Sequence, residues 1–285
     1  MKGSDWWVMH GEKRLAVIDK SDFSFNIEAE KIRFDFAYIT IHGTPGEDGI
    51  LQGYFDLQRI PYSTSNVHSS SLTFNKWFCN NYLQNFGVKM ARSLMLHTGE
   101  TVDPSEIIQH LGLPLFVKPN AGGSSFGITK VKNENELIPA LEKAWKESSD
   151  ALVEEFIEGT EFTCGLVQLK NETLIFPVTE VIPKNEFFDF EAKYTPGATD
   201  EITPARLPEE LFKKCQQLSA DIYKKCNCSG IARIDYILKD GTFYFLEVNT
   251  TPGMTETSFI TQQINAIGLT MKQILSQIIN ESLSS

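Results

Sequence analysis

The run Glu247-Val-Asn-Thr-Thr-Pro-Gly-Met-Thr-Glu-Thr-Ser-Phe259 closes a strongly apolar stretch with a carboxylate and an amide two positions apart. In a strand, residues i and i+2 share a face, so Glu247 and Asn249 offer hard oxygens side by side, a donor type suited to Mg²⁺. Upstream, Ile231-Ala-Arg-Ile-Asp-Tyr-Ile-Leu238 carries Arg233 and Asp235 at the same spacing. Two acidic strands joined by a short turn make a candidate metal–nucleotide site, with Asp235, Glu247 and Asn249 as ligands. The turn decides whether they meet. A two-residue Asp240-Gly241 turn would pair Asp235 with Leu246 and separate the carboxylates onto opposite faces. A three-residue loop centred on Gly241 would set Asp235 across from Glu247 and Arg233 across from Asn249. Opposed carboxylates repel unless a cation lies between them, and the longer loop is the expectation. Either carboxylate alone reads as an ordinary surface charge; Arg-x-Asp with Glu-x-Asn beside Phe243 and Phe245 does not.

Four further segments carry chemistry. Lys118-Pro-Asn-Ala-Gly-Gly-Ser-Ser-Phe-Gly127 joins two expected strands, so it is neither a P-loop nor a dinucleotide turn, both of which lead into a helix. Its glycines leave backbone N–H groups free to close over phosphates, Ser124 and Ser125 add hydroxyl donors, and Lys118 adds a point charge. Alone, it equally reads as a plain glycine-serine turn. In Val153-Glu-Glu-Phe-Ile-Glu-Gly-Thr-Glu161 a strand end can present backbone groups to a base, and Glu161 can accept from ribose hydroxyls. In isolation this is a solvated acidic turn. Phe187-Phe-Asp-Phe-Glu-Ala-Lys-Tyr194 sits in a long polar stretch, 184–206, whose length and aromatic content suggest a lid that excludes water. Ile41-His-Gly-Thr-Pro-Gly-Glu-Asp-Gly49 leaves a buried strand for a glycine loop, the place where ligands collect in α/β sheets. His42 in that loop, and Lys76 in Phe74-Asn-Lys76, say little by themselves.

The elements that must position these residues are mixed. Short strands are expected at 6–8 and 14–19 around a His-Gly-Glu-Lys turn. Asp35 to Ile41 reads as a strand buried on both faces. Helices are expected at 48–57, at 73–86 ending on Gly87, and after the Asp103 cap with Pro104 at the first position, ending on Gly112. Strands follow at 113–118 and 127–132, then a helix over 135–146 despite Pro139. Strands are expected at 151–157, 160–169 and 174–181, a helix from Pro208 with Leu211, Cys215, Leu218 and Ile222 at helical spacing, the 231–249 hairpin, and a helix near 270–283.

The chain has 285 residues, 41% hydrophobic and 22% charged, an ordinary globular composition, and a formal net charge of −11. That charge argues against nucleic-acid or anionic-membrane partners. Five cysteines without a C-x-x-C pair fit a reduced, cytoplasmic compartment, and the five histidines never fall at zinc-ligand spacing. No apolar run approaches the ~20 residues of a membrane span.

Taken in order from about Phe36 to Ser258, these segments resemble the D-alanine–D-alanine ligases of the ATP-grasp superfamily. The resemblance implies an α/β (α+β) ATP-grasp fold with ATP and two Mg²⁺ (or Mn²⁺), held between two α+β subdomains. It implies a truncated N-terminal substrate domain over 1–66, a central subdomain over 67–153 and a C-terminal one over 154–285. It places His42 near the first substrate and Lys76 and Lys118 on the ATP phosphates. Ser124, Ser125 and Gly127 fall in the phosphate-covering loop, Glu154, Glu155 and Ile157 at the adenine, and Glu161 at the ribose. Lys193 and Tyr194 match the lid. Arg233, Asp235, Glu247 and Asn249 match the arginine and metal ligands, and Gly253, Ser258 and Phe259 the second-substrate pocket. Ser124, Tyr194, Arg233 and Gly253 would be catalytic. Relatives open with a strand, a Gly-Gly-x-Ser-x-Glu loop and a helix. The resemblance implies that such a unit, roughly 35–45 residues, is missing before Met1, and an exposed edge near Ile39 is expected.

The function implied is ATP-dependent joining of two D-alanines through an acyl phosphate, for peptidoglycan precursor synthesis, by a cytoplasmic homodimer. Tyr194 favours the dipeptide over the D-Ala–D-lactate ester. The alternatives are that ester, another ATP-grasp carboxylate–amine ligase, or an ATP-binding remnant that joins nothing.

Overall fold

The computed structural model describes residues 5–123, 126–183 and 199–284. Two antiparallel hairpins come first: β1 (Trp7–His10) with β2 (Lys13–Val17), and β3 (Ser24–Ile27) with β4 (Glu30–Arg33). The first was expected and the second was not. The strand expected at 35–41 forms no ladder. Only Ala37 pairs, in a parallel bridge to Tyr62, with Ala37 N–H donating to Pro61 O at 2.8 Å. Ser63 N–H returns to Ala37 O at 3.1 Å, but Pro61 has no N–H to extend the ladder on one side, and on the other Ile39 N–H is met by the Ser63 hydroxyl at 3.0 Å rather than by backbone, so the ladder stops. Ile39 itself is buried, 2% exposed and packed with Ala37, Leu51 and Phe55 under Trp6, Phe23 and Tyr54, while its neighbours Tyr38 and Ile41 are 43% and 37% exposed.

The helix α1 (Ile50–Gln58) follows the glycine loop, then α2 (Val67–Phe74) and α3 (Lys76–Gln84) replace the single helix expected at 73–86. The break is Asn75. It leaves helical conformation (φ −89°, ψ 102°), and its side chain caps α3 by accepting Phe78 N–H at 2.9 Å. The cap fixes Lys76 as the first residue of α3.

A four-stranded antiparallel sheet comes next, made of β5 (Ser93–His97), β6 (Leu115–Pro119), β7 (Thr129–Val131) and β8 (Asp150–Glu155) in the order β5-β8-β6-β7. The helices α4 (Pro104–Leu111) and α5 (Leu137–Trp145) seal it through Ile107, Leu111, Leu137 and Leu141. Asp103 caps α4 as expected, accepting Ser105 N–H at 2.9 Å. Pro139 is tolerated because it falls in the first turn of α5, where its missing N–H has no intrahelical partner to lose.

The second sheet contains β9 (Thr160–Gln168), β10 (Thr173–Ile175), β11 (Thr179–Pro183), β12 (Thr199–Ile202), β13 (Ile231–Lys239) and β14 (Thr242–Asn249). Its order is β12-β11-β9-β13-β14, with β10 beside β9. Pro177 splits the strand expected at 174–181 in two, and β12 lies where only loop was expected. The helix α6 (Glu209–Lys225) covers the face bearing Cys164, Leu166, Ile234 and Tyr236. On the other face α7 (Phe259–Ala266) and α8 (Met271–Leu283) pack against Val167 and Ile231. Alternation along β13 therefore turns Arg233 and Asp235 away from the α6 core. No helix among the described residues is long and apolar enough to cross a membrane.

Candidate active site

Lys239 pairs with Thr242, so β13 and β14 meet in a two-residue turn at Asp240 (φ 48°) and Gly241 (φ 74°). Positive φ at both central residues suits this tight hairpin turn and corrects the expected three-residue loop. The carboxylates meet nonetheless, because β14 is bulged at Leu246. Tyr236 pairs with Phe245, Asp235 with Glu247, and Arg233 with Asn249. One extra residue in one strand moves every later side chain to the other face, and here it brings Glu247 and Asn249 onto the face of Asp235.

Asp235 is 6% exposed. The Thr163 hydroxyl donates to its Oδ1 at 2.6 Å, and Arg233 grips it bidentately, Nε to Oδ1 at 2.9 Å and Nη2 to Oδ2 at 2.7 Å. Burial by itself would loosen the Arg233 proton. Asp235 first, then Glu247 and Glu161, overcome that and hold the guanidinium above its ordinary value. The Phe259 ring lies 5.6 Å from the same guanidinium.

Lys76 Nζ donates to Gly122 O at 3.0 Å and lies 3.6 Å from Glu247 Oε2, which ties α3, the glycine loop and β14 together. Lys118 Nζ pairs with Glu154 Oε2 at 2.7 Å, each side chain about 10% exposed. A cavity of about 460 Å³ opens above the hairpin. Of the residues singled out from the sequence, His42, Lys76, Arg233, Glu247, Asn249, Gly253, Ser258 and Phe259 line it. Asp235 lies beneath Arg233. Lys118, Gly127, Glu154, Ile157 and Glu161 are not among its lining residues.

Local bonds shape the cavity wall. Asn249 Oδ1 accepts Thr251 N–H at 3.0 Å, and Ser258 Oγ accepts Thr255 N–H at 3.0 Å. A Cβ at Gly253 would stand 2.9 Å from Ser258 Oγ, so only glycine lets that hydroxyl approach. His42 Nδ1 lies 3.6 Å from Glu47 Oε1, while Glu47 Oε2 accepts Gly43 N–H at 2.6 Å. The nearby Glu47 carboxylate raises the His42 pKa, against partial burial.

The model for the D-ala D-ala ligase C-terminus family matches residues 82–280. The D-alanine–D-alanine ligase of Phocaeicola vulgatus is 53% identical over 280 residues, 98% of this chain and 86% of that protein. This chain belongs to the D-alanine–D-alanine ligase family. The corresponding ligase of Azobacteroides pseudotrichonymphae is 55% identical over 96% of this chain and 85% of its own length. Among solved structures, the VanG D-Ala:D-Ser ligase of Enterococcus faecalis superposes with a TM-score of 0.84 at 34% identity, covering 95% of this chain and 81% of that one. A Bacillus anthracis D-alanine–D-alanine ligase complexed with ATP gives 0.75 at 34% identity, over 88% and 80%. The fold is the α/β ATP-grasp fold of this ligase family.

Arg92 donates to both Glu155 oxygens, from its backbone N–H at 2.8 Å and its Nε at 2.7 Å. Neighbours on a strand face opposite sides, so with Glu154 turned to Lys118, Glu155 must turn to Arg92, and only its carbonyl is left for a base. Gly127 (φ 74°) is fixed by packing, since a Cβ there would meet Pro119 Cγ at 2.8 Å. Ser124, Ser125, Lys193 and Tyr194 lie outside the described residues. Sequence reading missed Glu47, although it stands in the quoted loop, because nothing in sequence shows that it clasps Gly43. It missed Glu201 because β12 was read as loop. It also missed Lys130, whose Nζ sits 4.0 Å from the centre of the Phe156 ring beside the strand end at Ile157.

Among the described residues no group of three His, Cys, Asp or Glu side chains is arranged to hold a metal. The expected donor set is different: two carboxylates and an amide. It fits a hard divalent ion on charge, because Asp235, Glu247 and Glu161 all act on Arg233 in one region. That leaves carboxylate in excess over guanidinium.

Proposed function

We infer that this chain joins two D-alanine molecules into D-alanyl-D-alanine at the expense of ATP, supplying a peptidoglycan precursor. The observation that carries the reading is the bulge-set hairpin face, where Asp235 stands across from Glu247 and Arg233 across from Asn249. Lys76 and the Gly122–Gly123 backbone reach that face from the opposite wall. We assign the triphosphate to this gap, with Lys76 trading its contacts to Gly122 and Glu247 for phosphate oxygens and Lys118 serving as the second cation. Glu154, the carbonyl of Glu155 and Ile157 are assigned to the base, and Glu161 to the ribose. Asp235, Glu247 and Asn249 would hold Mg²⁺, which when bound neutralises charge on the phosphates. Ser124, Ser125, Lys193 and Tyr194 are assigned to covering the phosphates.

The first D-alanine, near His42, attacks the γ-phosphate through its carboxylate and becomes an acyl phosphate. Positioning and charge neutralisation supply most of the acceleration in such transfers. The amine of the second D-alanine, against Ser258 and Phe259, then attacks the activated carbonyl. Arg233 and the Gly253 N–H stabilise the oxyanion that develops. We take the protein to be a cytoplasmic homodimer divided at 66 and 153, the second boundary falling within β8. The test is ADP release from the purified protein with ATP and Mg²⁺, combined with mass detection of the dipeptide. D-alanine is expected to drive both and L-alanine neither. Absence of dipeptide with D-alanine would refute the reading.

A further inference from the structure

A ligase that uses an amine nucleophile must first remove a proton from an ammonium ion, since an amino acid arrives as a zwitterion at neutral pH. Among the described residues, the acids lining the cavity are Glu47, Glu201 and Glu247. Glu47 faces His42 and clasps Gly43, and Glu247 faces Lys76. Glu201 differs. The hydrogen-bond partner of its Oε2 is the neutral amide of Gln262, and among the described residues it forms no ion pair.

Its place in the fold is fixed by two independent sets of bonds. On β12, Glu201 pairs with Val181 of β11, and Val181 pairs with Glu161 of β9, so Glu201 and Glu161 lie in one row across the sheet. From α7, Gln262 Nε2 bonds both Glu201 and the Thr257 carbonyl, the latter at 2.9 Å. Thr257 precedes Ser258, which with Gly253 and Phe259 walls the end of the cavity assigned to the second amino acid. One amide therefore holds Glu201 against that wall.

We propose that Glu201 is the proton acceptor for the second amino acid: its carboxylate receives the incoming ammonium and takes one proton from it before the nitrogen attacks. The inference rests on the ligase reading above and adds the residue that reading lacks. In the step, the freed lone pair forms the N–C bond and the C–O bond to phosphate breaks. Of the two protons the nitrogen loses, the first goes to Glu201 and the second to the departing phosphate. Glu201 is exposed by surface area, but partial desolvation raises the proton affinity of its carboxyl, with Gln262 and the charge of Arg233 acting in the other direction. Of the other charged groups lining the cavity, His42 is committed to Glu47 and Lys76 is held at Glu247 and Gly122.

The test separates the two half-reactions. Hydroxylamine is neutral at neutral pH and captures an acyl phosphate without needing a base, whereas D-alanine must be deprotonated. Glu201→Gln, which keeps an oxygen for Gln262, should lower the ratio of dipeptide to hydroxamate by about a hundred-fold or more, the usual range for a lost general base. Glu201→Asp should hold that ratio within about ten-fold of wild type. A Gln variant whose ratio matches wild type, or an Asp variant that loses as much as Gln, would overturn the proposal. Wild-type protein that yields neither product would instead overturn the ligase reading on which it rests.

Discussion

Replacing Arg233 by Met removes the cation from the most charge-dense part of the molecule. Two charge-assisted hydrogen bonds, at 2.9 and 2.7 Å, are lost, and Asp235, with its side chain only 8% exposed, keeps its charge without them. Breaking a buried pair from one side costs about 3–5 kcal/mol. Arg233 also lines the cavity, where water softens the loss, which argues for the lower end, about 3 kcal/mol. Because the chain has several separate cores, a global unfolding curve would blur that figure. Native-state amide exchange at Ile234 and Val248, which pair with each other across the hairpin, reads it locally. At about 1.4 kcal/mol per factor of ten, exchange there should quicken by roughly a hundred-fold. Adding Asp235→Asn should recover at least half of the loss, because the penalty lies mainly in the stranded charge. An effect on exchange below about three-fold, or full additivity of the two substitutions, would refute the reasoning.

Lys118→Met should weaken ATP binding in calorimetry and, by stranding Glu154, destabilise the four-stranded sheet by about 3–5 kcal/mol. Adding Glu154→Gln should restore the stability but not the affinity. Glu47→Gln should lower the His42 pKa in an NMR titration, since the Glu47 carboxylate is the main cause of its elevation. Glu180 is held below its ordinary value chiefly by the hydrogen bond from Arg206. A depressed carboxyl stabilises the fold above its unfolded value, near 4.5, and that contribution vanishes as pH falls through the folded value. Urea melts of wild type and Arg206→Gln should therefore differ at neutral pH and converge in strong acid.

Much of the site was legible because its chemistry is local in sequence. Arg-x-Asp and Glu-x-Asn each place two groups on one strand face wherever the strand lies. What sequence could not supply was the register between the two strands. A carboxylate-pairing argument reached the right partners through the wrong device, since a bulge at Leu246 is indistinguishable in sequence from a longer turn. The helix break at Asn75 was readable in principle, as an Asn cap three residues before Phe78, yet the apolar pattern ran through it. The failure at 35–41 came from Pro61 and Ser63, some twenty residues away, which pattern reading of a single segment does not weigh. Glu201 stayed hidden because an edge strand with one partner carries too little apolar pattern to stand out from the loop around it.

The central claim is that Asp235 and Glu247 jointly hold a divalent ion for the triphosphate. Electron paramagnetic resonance of Mn²⁺ titrated into the protein with ADP tests it most directly. Wild type should bind Mn²⁺ tightly, and Asp235→Asn and Glu247→Gln should each release it into the free hexaaqua signal. Unchanged Mn²⁺ binding in both variants would contradict the account.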